Sequence, residues 1–290
     1  FLFLLPPLLV FGHCLFGDIT IGQDYFSGHY IEPILHAYYN SLGLEPLWEP
    51  MRTGGIPYSG NPSAQLFHFP RWLFTKVPGF LTGYALEILL IKHFLLFSFG
   101  HAVSHHVVRR FSGLGFSWSF LLSFILIYNL GGLDAFRYGI SIETLTYGIC
   151  LVLLVMLELK EGLSYRLPAI AVLASLAITS GYYPSLILLG LVGGLLIFAQ
   201  IILAKLWLSR KKELLAIPFA LATGLLLSAP NWLQFLEMIR DNYRRTLAST
   251  IEWANFAPLY KIGIYFNFFR PWAAEVHSGY GGSSLLALMV

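Results

Sequence analysis

The chain has 290 residues, of which 57% are hydrophobic and only 11% charged, with a formal net charge of +3 and a mean hydropathy of +0.68. A soluble domain carries about a quarter charged residues, so this composition excludes an ordinary soluble fold. Its charges fall in short clusters between apolar runs long enough to cross a bilayer as helices, which takes roughly 20 residues each.

The expected fold class is therefore an all-α polytopic membrane protein. A transmembrane barrel would instead show short alternating strands. Cys14 and Cys150, both in or beside apolar runs, give no disulfide framework. The sequence opens on FLFLLPPLLV and ends on SLLALMV, each within an apolar run. It reads as a fragment truncated at both ends. The first run lacks the basic leader and small-residue cleavage site of a signal peptide, so residues 1–17 are expected to be a partial first membrane helix.

Further spans are predicted at 82–108, 116–130, 143–159, 167–180, 184–208 and 214–230, with another beginning at 283. The organisation is thus a first external loop over 18–81, a bundle of about six helices over 82–230, a second long external segment over 231–282, and a new span over 283–290. Basic residues in short loops set orientation. Arg109 and Arg110, then Lys160 and Arg166, then Arg210, Lys211 and Lys212 collect at connections of one parity. That parity is expected to be cytoplasmic, which places 18–81 and 231–282 outside. The intervening 131–142 connection, with Asp134 and Arg137, is nearly neutral. Seven tryptophans and 16 tyrosines suit the water–lipid boundary.

The first loop is too long and too aromatic for a simple connector. Phe26, Tyr30, Ile34 and Tyr38 recur every four residues, the spacing of one helical face. Pro33 is tolerated only in a first turn, so the predicted surface helix runs from Pro33 to Ser41 and ends at Gly43. LEPLWEP should then be extended, because each residue before a proline is pushed out of helical geometry. TGGIPYSGNP reads as tight turns.

Its acids are Asp18, Asp24, Glu32, Glu45 and Glu49. A carboxylate at the membrane surface could act as a general base toward a hydroxyl or hold a divalent cation. The same residues could be solvated boundary acids. His29, Glu32 and His36 have a spacing that could suit a metal, but Pro33 separates residue 29 from the predicted helix and no metal site is expected. Within the second span, Glu87 lies near the outer end, while Lys92 and His93 are deeper. Lys92 should pair across the bundle or line a polar cavity. His101, His105 and His106 approach the cytoplasmic end as ordinary structural residues.

Beyond the seventh span, Arg240, Arg244 and Arg245 could hold a phosphate through their planar forks, or bind anionic headgroups. There is no P-loop, no GxGxxG after a strand, no HExxH and no GxSxG, so nucleotide, zinc-protease and serine-hydrolase readings have no support. No nucleic-acid partner is expected.

PLWEP, then GGIP, then NPSAQLFHFPRWLF together resemble the first external loop of the bacterial YfhO-like membrane proteins, a family related to the GT-C glycosyltransferases. SGYYPS at 180–185, LSAPNWLQFLEMIRDNYRR and NFFRPW…SGYGGSSLLAL are looser matches in the same order, so the likeness spans nearly the whole chain. Glu49, the Tyr182–Tyr183 pair and Ser185 stand where that family's wording has Asn, His and Gln.

The resemblance implies a GT-C-like helical bundle in the bacterial cytoplasmic membrane. It also implies a transferase moving a sugar from a polyprenyl-phosphate donor to an extracytoplasmic hydroxyl. Asp24 would be the catalytic base, with Asp18 as the alternative. Arg240, Arg244, Arg245 and Arg137 would contact phosphate, while Trp48, Glu49, Tyr182 and Tyr183 shape the substrate pocket. Membrane lipids are expected partners, and a divalent cation is the one cofactor the acids could hold. Two other classes fit the same pattern of spans. One is a transporter or flippase, and the other an inactive scaffold for envelope assembly.

Overall fold

The structure is a computed structural model and describes residues 2–9, 38–39, 42, 48–49, 56–57, 65, 67–76, 85–128, 141–162, 165–181 and 183–241. These residues are almost entirely helical. Leu2–Leu4 form a 3-10 turn that continues helically through residue 9. The helices after it are α1 (Phe69–Lys76), α2 (Ala85–Ser112), α3 (Phe116–Ile127), α4 (Ser141–Glu161) and α5 (Arg166–Thr179). They are followed by α6 (Tyr183–Leu203), α7 (Leu206–Ser209), α8 (Lys211–Leu227) and α9 (Ala229–Asp241).

One exception to the helical rule lies in the first loop. Trp48–Glu49 (β1) pairs antiparallel with Ile56–Pro57 (β2), Trp48 opposite Pro57 and Glu49 opposite Ile56. The extended geometry that flanking prolines impose on LWE therefore becomes one strand of a short ladder. Of the predicted 33–41 helix, Tyr38 and Tyr39 are helical, and the Leu42 amide donates to Tyr38 O at 3.2 Å. The rest of that helix lies outside the described residues.

The helix ends follow from backbone chemistry. Gly113 at φ +70° closes α2, its N–H donating to Arg109 O at 3.0 Å, and Gly162 at φ +102° closes α4 through Glu158 O at 2.9 Å. The predicted 184–208 span stops early, because Lys205 adopts a left-handed φ of +50° and α7 restarts as a separate turn. After α8 the chain turns by 62° into α9. Pro230 sits in the first turn of α9, where a missing N–H costs nothing. Residues 231–241, the start of the predicted external segment 231–282, are thus helical.

Helix α4 is the hub of the bundle. It packs against α2, α5 and α6, while α8 packs on α5 and α3 on α2. Ile142, Leu145, Leu157 and Leu159 are buried on it. Among the described residues two helices are long and apolar enough to cross a membrane, over Ile142–Glu161 and Ser185–Leu203. Counting the bent α8–α9 pair as one span makes a third. The two differ in surroundings: 72% of the α4 window is buried inside the protein against 11% of the α6 window. So α4 is a core helix and α6 a peripheral one. Predicted spans 116–130 and 167–180 are helices, but of 12 and 14 residues, shorter than a full crossing requires.

Candidate functional site

Glu143 is the third residue of α4, and its side chain is almost completely buried. Four side chains converge on it. His68 Nε2 lies 2.7 Å from Oε2, Lys92 Nζ is in direct contact with Oε1, His93 Nε2 is 3.5 Å from Oε1, and Gln65 Nε2 donates to Oε2 at 3.4 Å. An ionised carboxylate offers about four lone-pair directions, and four side-chain nitrogens lie within 3.5 Å of this one.

Gln65 and His68 belong to the first loop, Lys92 and His93 to α2. Gln65 also donates to Ser180 O at 2.6 Å, at the C-terminal end of α5. His68 Nδ1 lies 3.0 Å from Thr179 Oγ1, and Thr144 shares a 2.6 Å hydrogen bond with Ser180. The N-terminal turn of α4, the outer part of α2 and one loop segment therefore meet on one carboxylate, and the C-terminal end of α5 holds the loop from behind. Arg71, on the first turn of α1, is buried next to them, and Tyr147 packs its ring on His68 one turn below Glu143.

The protonation of His68 follows from its partners. Burial lowers its pKa from the usual 6.5, opposed by the Glu143 carboxylate. A carboxylate accepts and cannot donate, so the ring presents Nε2–H to Glu143. Nδ1 lies against the Thr179 hydroxyl, whose own proton is directed at Ser175 O at 2.9 Å. Gln65 holds its position at φ +52°, a left-handed conformation that costs a non-glycine residue roughly 1–2 kcal/mol. Strain of this kind persists where surrounding contacts over-determine it, and here two acceptors fix the Gln65 amide.

The opposite end of α4 carries a second charged cluster. Glu158, fully buried, meets Arg166 Nε at 2.8 Å, and Arg166 Nη1 reaches Glu161 at 2.6 Å. Fifteen residues separate Glu143 from Glu158, roughly 22 Å along a helix. Lys160 Nζ donates to Phe111 O at 2.6 Å and Arg110 O at 3.2 Å, while Arg210 Nη2 donates to Lys160 O at 2.8 Å. Cations thus satisfy the unpaired carbonyls at the C-termini of α2 and α4.

The sequence-predicted residues fare unevenly. Asp18, Asp24, Glu32, Glu45, His29, His36, Arg137, Tyr182, Arg244 and Arg245 lie outside the described residues. Trp48 and Glu49 are described as strand backbone only, and Arg240 as backbone of α9. Tyr183 is placed: its hydroxyl donates to Asn231 Oδ1 at 2.6 Å and its ring packs on Phe235 at 4.8 Å, so it ties α6 to α9. Lys92 pairs across the bundle with Glu143. His101 and His105 pack against Phe3, Phe116 and Phe120, as structural residues do.

Gln65, His68, Arg71, Glu143, Thr179 and Ser180 were not singled out from sequence. A signal was there for Glu143, since a lysine at depth needs an acid on a neighbouring helix. Glu143 opens the next-but-one predicted span. Among the described residues no group of three or more His, Cys, Asp and Glu side chains is arranged to hold a metal ion. Cys150 is free and buried.

Comparison with protein-family models, curated proteins and solved structures gave no match to any of them.

Proposed function

We propose that this chain is a polytopic membrane protein of the bacterial cytoplasmic membrane, with its Glu143 end outside, that transfers a sugar from a polyprenyl-phosphate donor to an extracytoplasmic hydroxyl. One observation carries the reading. Gln65 and His68, inside the segment that resembles the YfhO-like external loop, are seated on the ends of α4 and α5 through Glu143, Thr179 and Ser180. A loop so fixed at the membrane boundary can form the wall of a site facing lipid and water together.

The chemistry needs few parts. The acceptor oxygen attacks the anomeric carbon, the bond from that carbon to the phosphate oxygen breaks, and polyprenyl phosphate leaves with the electron pair. Asp24, or Asp18, takes the hydroxyl proton. Arg244, Arg245, Arg240 and Arg137 offset the charge on the departing phosphate. Trp48, Glu49 and Tyr182 contribute to the pocket wall. The basic residues at 109–110, 160, 166 and 210–212 put the other end in the cytoplasm.

The buried Lys92–Glu143 pair favours a second reading, a transporter or flippase, because paired charges within spans mark polar pathways. Its depth argues against that. Glu143 is the third residue of its helix, and Lys92 lies seven residues into α2, about 10 Å. Transporter sites sit near mid-membrane.

Transfer from radiolabelled polyprenyl-phosphate sugars, by the full-length protein in membranes, tests the assignment. We expect transfer by the native protein and its loss in Asp24→Asn or Asp18→Asn at matched expression. No transfer from any donor, together with lipid scrambling that responds to Lys92→Ala, would replace the enzyme with the transporter.

A further inference from the structure

We propose that residues 203–212, with Arg109, form a binding surface for anionic phospholipid headgroups at the end of the bundle opposite Glu143. Charge bookkeeping at that end makes the case. Its three acids among the described residues are all engaged: Glu158 and Glu161 by Arg166, Glu161 also by Arg110 at 3.8 Å, and Glu213 by Arg210 at 3.4 Å. Lys160 is taken up by the α2 carbonyls. Arg109, Lys205, Lys211 and Lys212 remain exposed, and among the described residues none has a carboxylate within ion-pair distance.

Three of those four cations flank an apolar, aromatic turn. The segment reads LAKLWLSRKK, and Leu203, Trp207 and Leu208 are all more than half exposed. The left-handed Lys205 breaks the helix there, so α7 leaves the line of α6 as a separate turn. Helix α6 is the peripheral helix, with only 11% of its apolar window covered by protein. Lipid tails alongside α6 would end at this turn. Tryptophan favours the headgroup level, and unpaired cations beside it suit phosphodiester oxygens. The surface needs both an apolar bed and a negative headgroup, so the partner is an anionic lipid rather than a soluble phosphate.

Trp207 supplies the probe. Quenching of its fluorescence by brominated phosphatidylglycerol and brominated phosphatidylcholine is compared in the full chain, with Trp207→Phe identifying its share of the signal. The anionic lipid should quench at the lower mole fraction, and salt should reduce its advantage. Lys212→Gln should lower the selectivity roughly fivefold, and the triple variant Lys205→Gln, Lys211→Gln, Lys212→Gln further. All three side chains are exposed, and the single variant guards against misfolding of the triple. Equal quenching by the two lipids, selectivity unchanged in the triple variant, or competition by millimolar glycerol phosphate would each overturn the proposal.

Discussion

Lys92 and Glu143 are buried on different helices with their charges in contact. Removing one partner of such a pair strands the other and costs about 3–5 kcal/mol. Glu143 also holds Gln65 and His68, so its loss should be felt in the loop before the rest of the bundle. Glu143→Gln keeps the shape and removes the charge. Hydrogen–deuterium exchange should then accelerate at least tenfold across 65–76 while α8 stays protected. Gln65→Gly offers a gentler probe, because it accepts the left-handed backbone but loses both amide hydrogen bonds. It should loosen the same segment to a smaller degree. Unchanged exchange at 65–76 in both variants would mean that the loop is held elsewhere. At this scale the sequence showed that Lys92 needed a partner but not which acid supplied it. His68 and Gln65 lie 75 and 78 residues before Glu143, and no local pattern links them.

Helix positions were the most legible feature, since α2 to α6 and α8 each follow a continuous apolar run. Their ends were less so. Helix α9 was hidden because the charged residues of EMIRDNYRR outweighed the helical spacing of Trp232, Phe235 and Leu236. The β1–β2 ladder was read only as extended chain followed by turns, because pairing is a property of two segments. Packing between helices depends on glycines whose roles differ. A Cβ on Gly224 would sit 2.5 Å from Ala171 O and 2.6 Å from Ala174 Cβ, where α8 crosses α5. A Cβ on Gly194 would meet nothing within 4 Å. Opposite signs follow. Gly224→Ala should lower stability by about 1–3 kcal/mol through overpacking, whereas Gly194→Ala should raise it by up to about 1 kcal/mol through helix propensity. Thermal unfolding of each variant in detergent checks both. Equal shifts for the two would show that α8 and α5 do not approach so closely.

The described residues form a helical bundle with a buried charge cluster at each end of α4 and an apolar stretch between them. Glu143 gathers the first loop at one end, and at the other Lys160 ties α4 to α2, Arg166 ties α5 to α4, and Arg210 ties the start of α8 to α4. Lengths and composition alone qualify two or three helices among the described residues as membrane-crossing, and the proposed orientation rests on the distribution of lysine and arginine. A transferase site facing the outside requires that orientation. The direct test is residue accessibility in intact cells, on a Cys14→Ser, Cys150→Ala background. Phe67→Cys and Lys211→Cys are each treated with a membrane-impermeant maleimide before and after permeabilisation. Both positions are exposed in the structure. Our account predicts that Phe67→Cys is labelled in intact cells and Lys211→Cys only once the membrane is opened. Labelling of both in intact cells, or the reverse order, would contradict it.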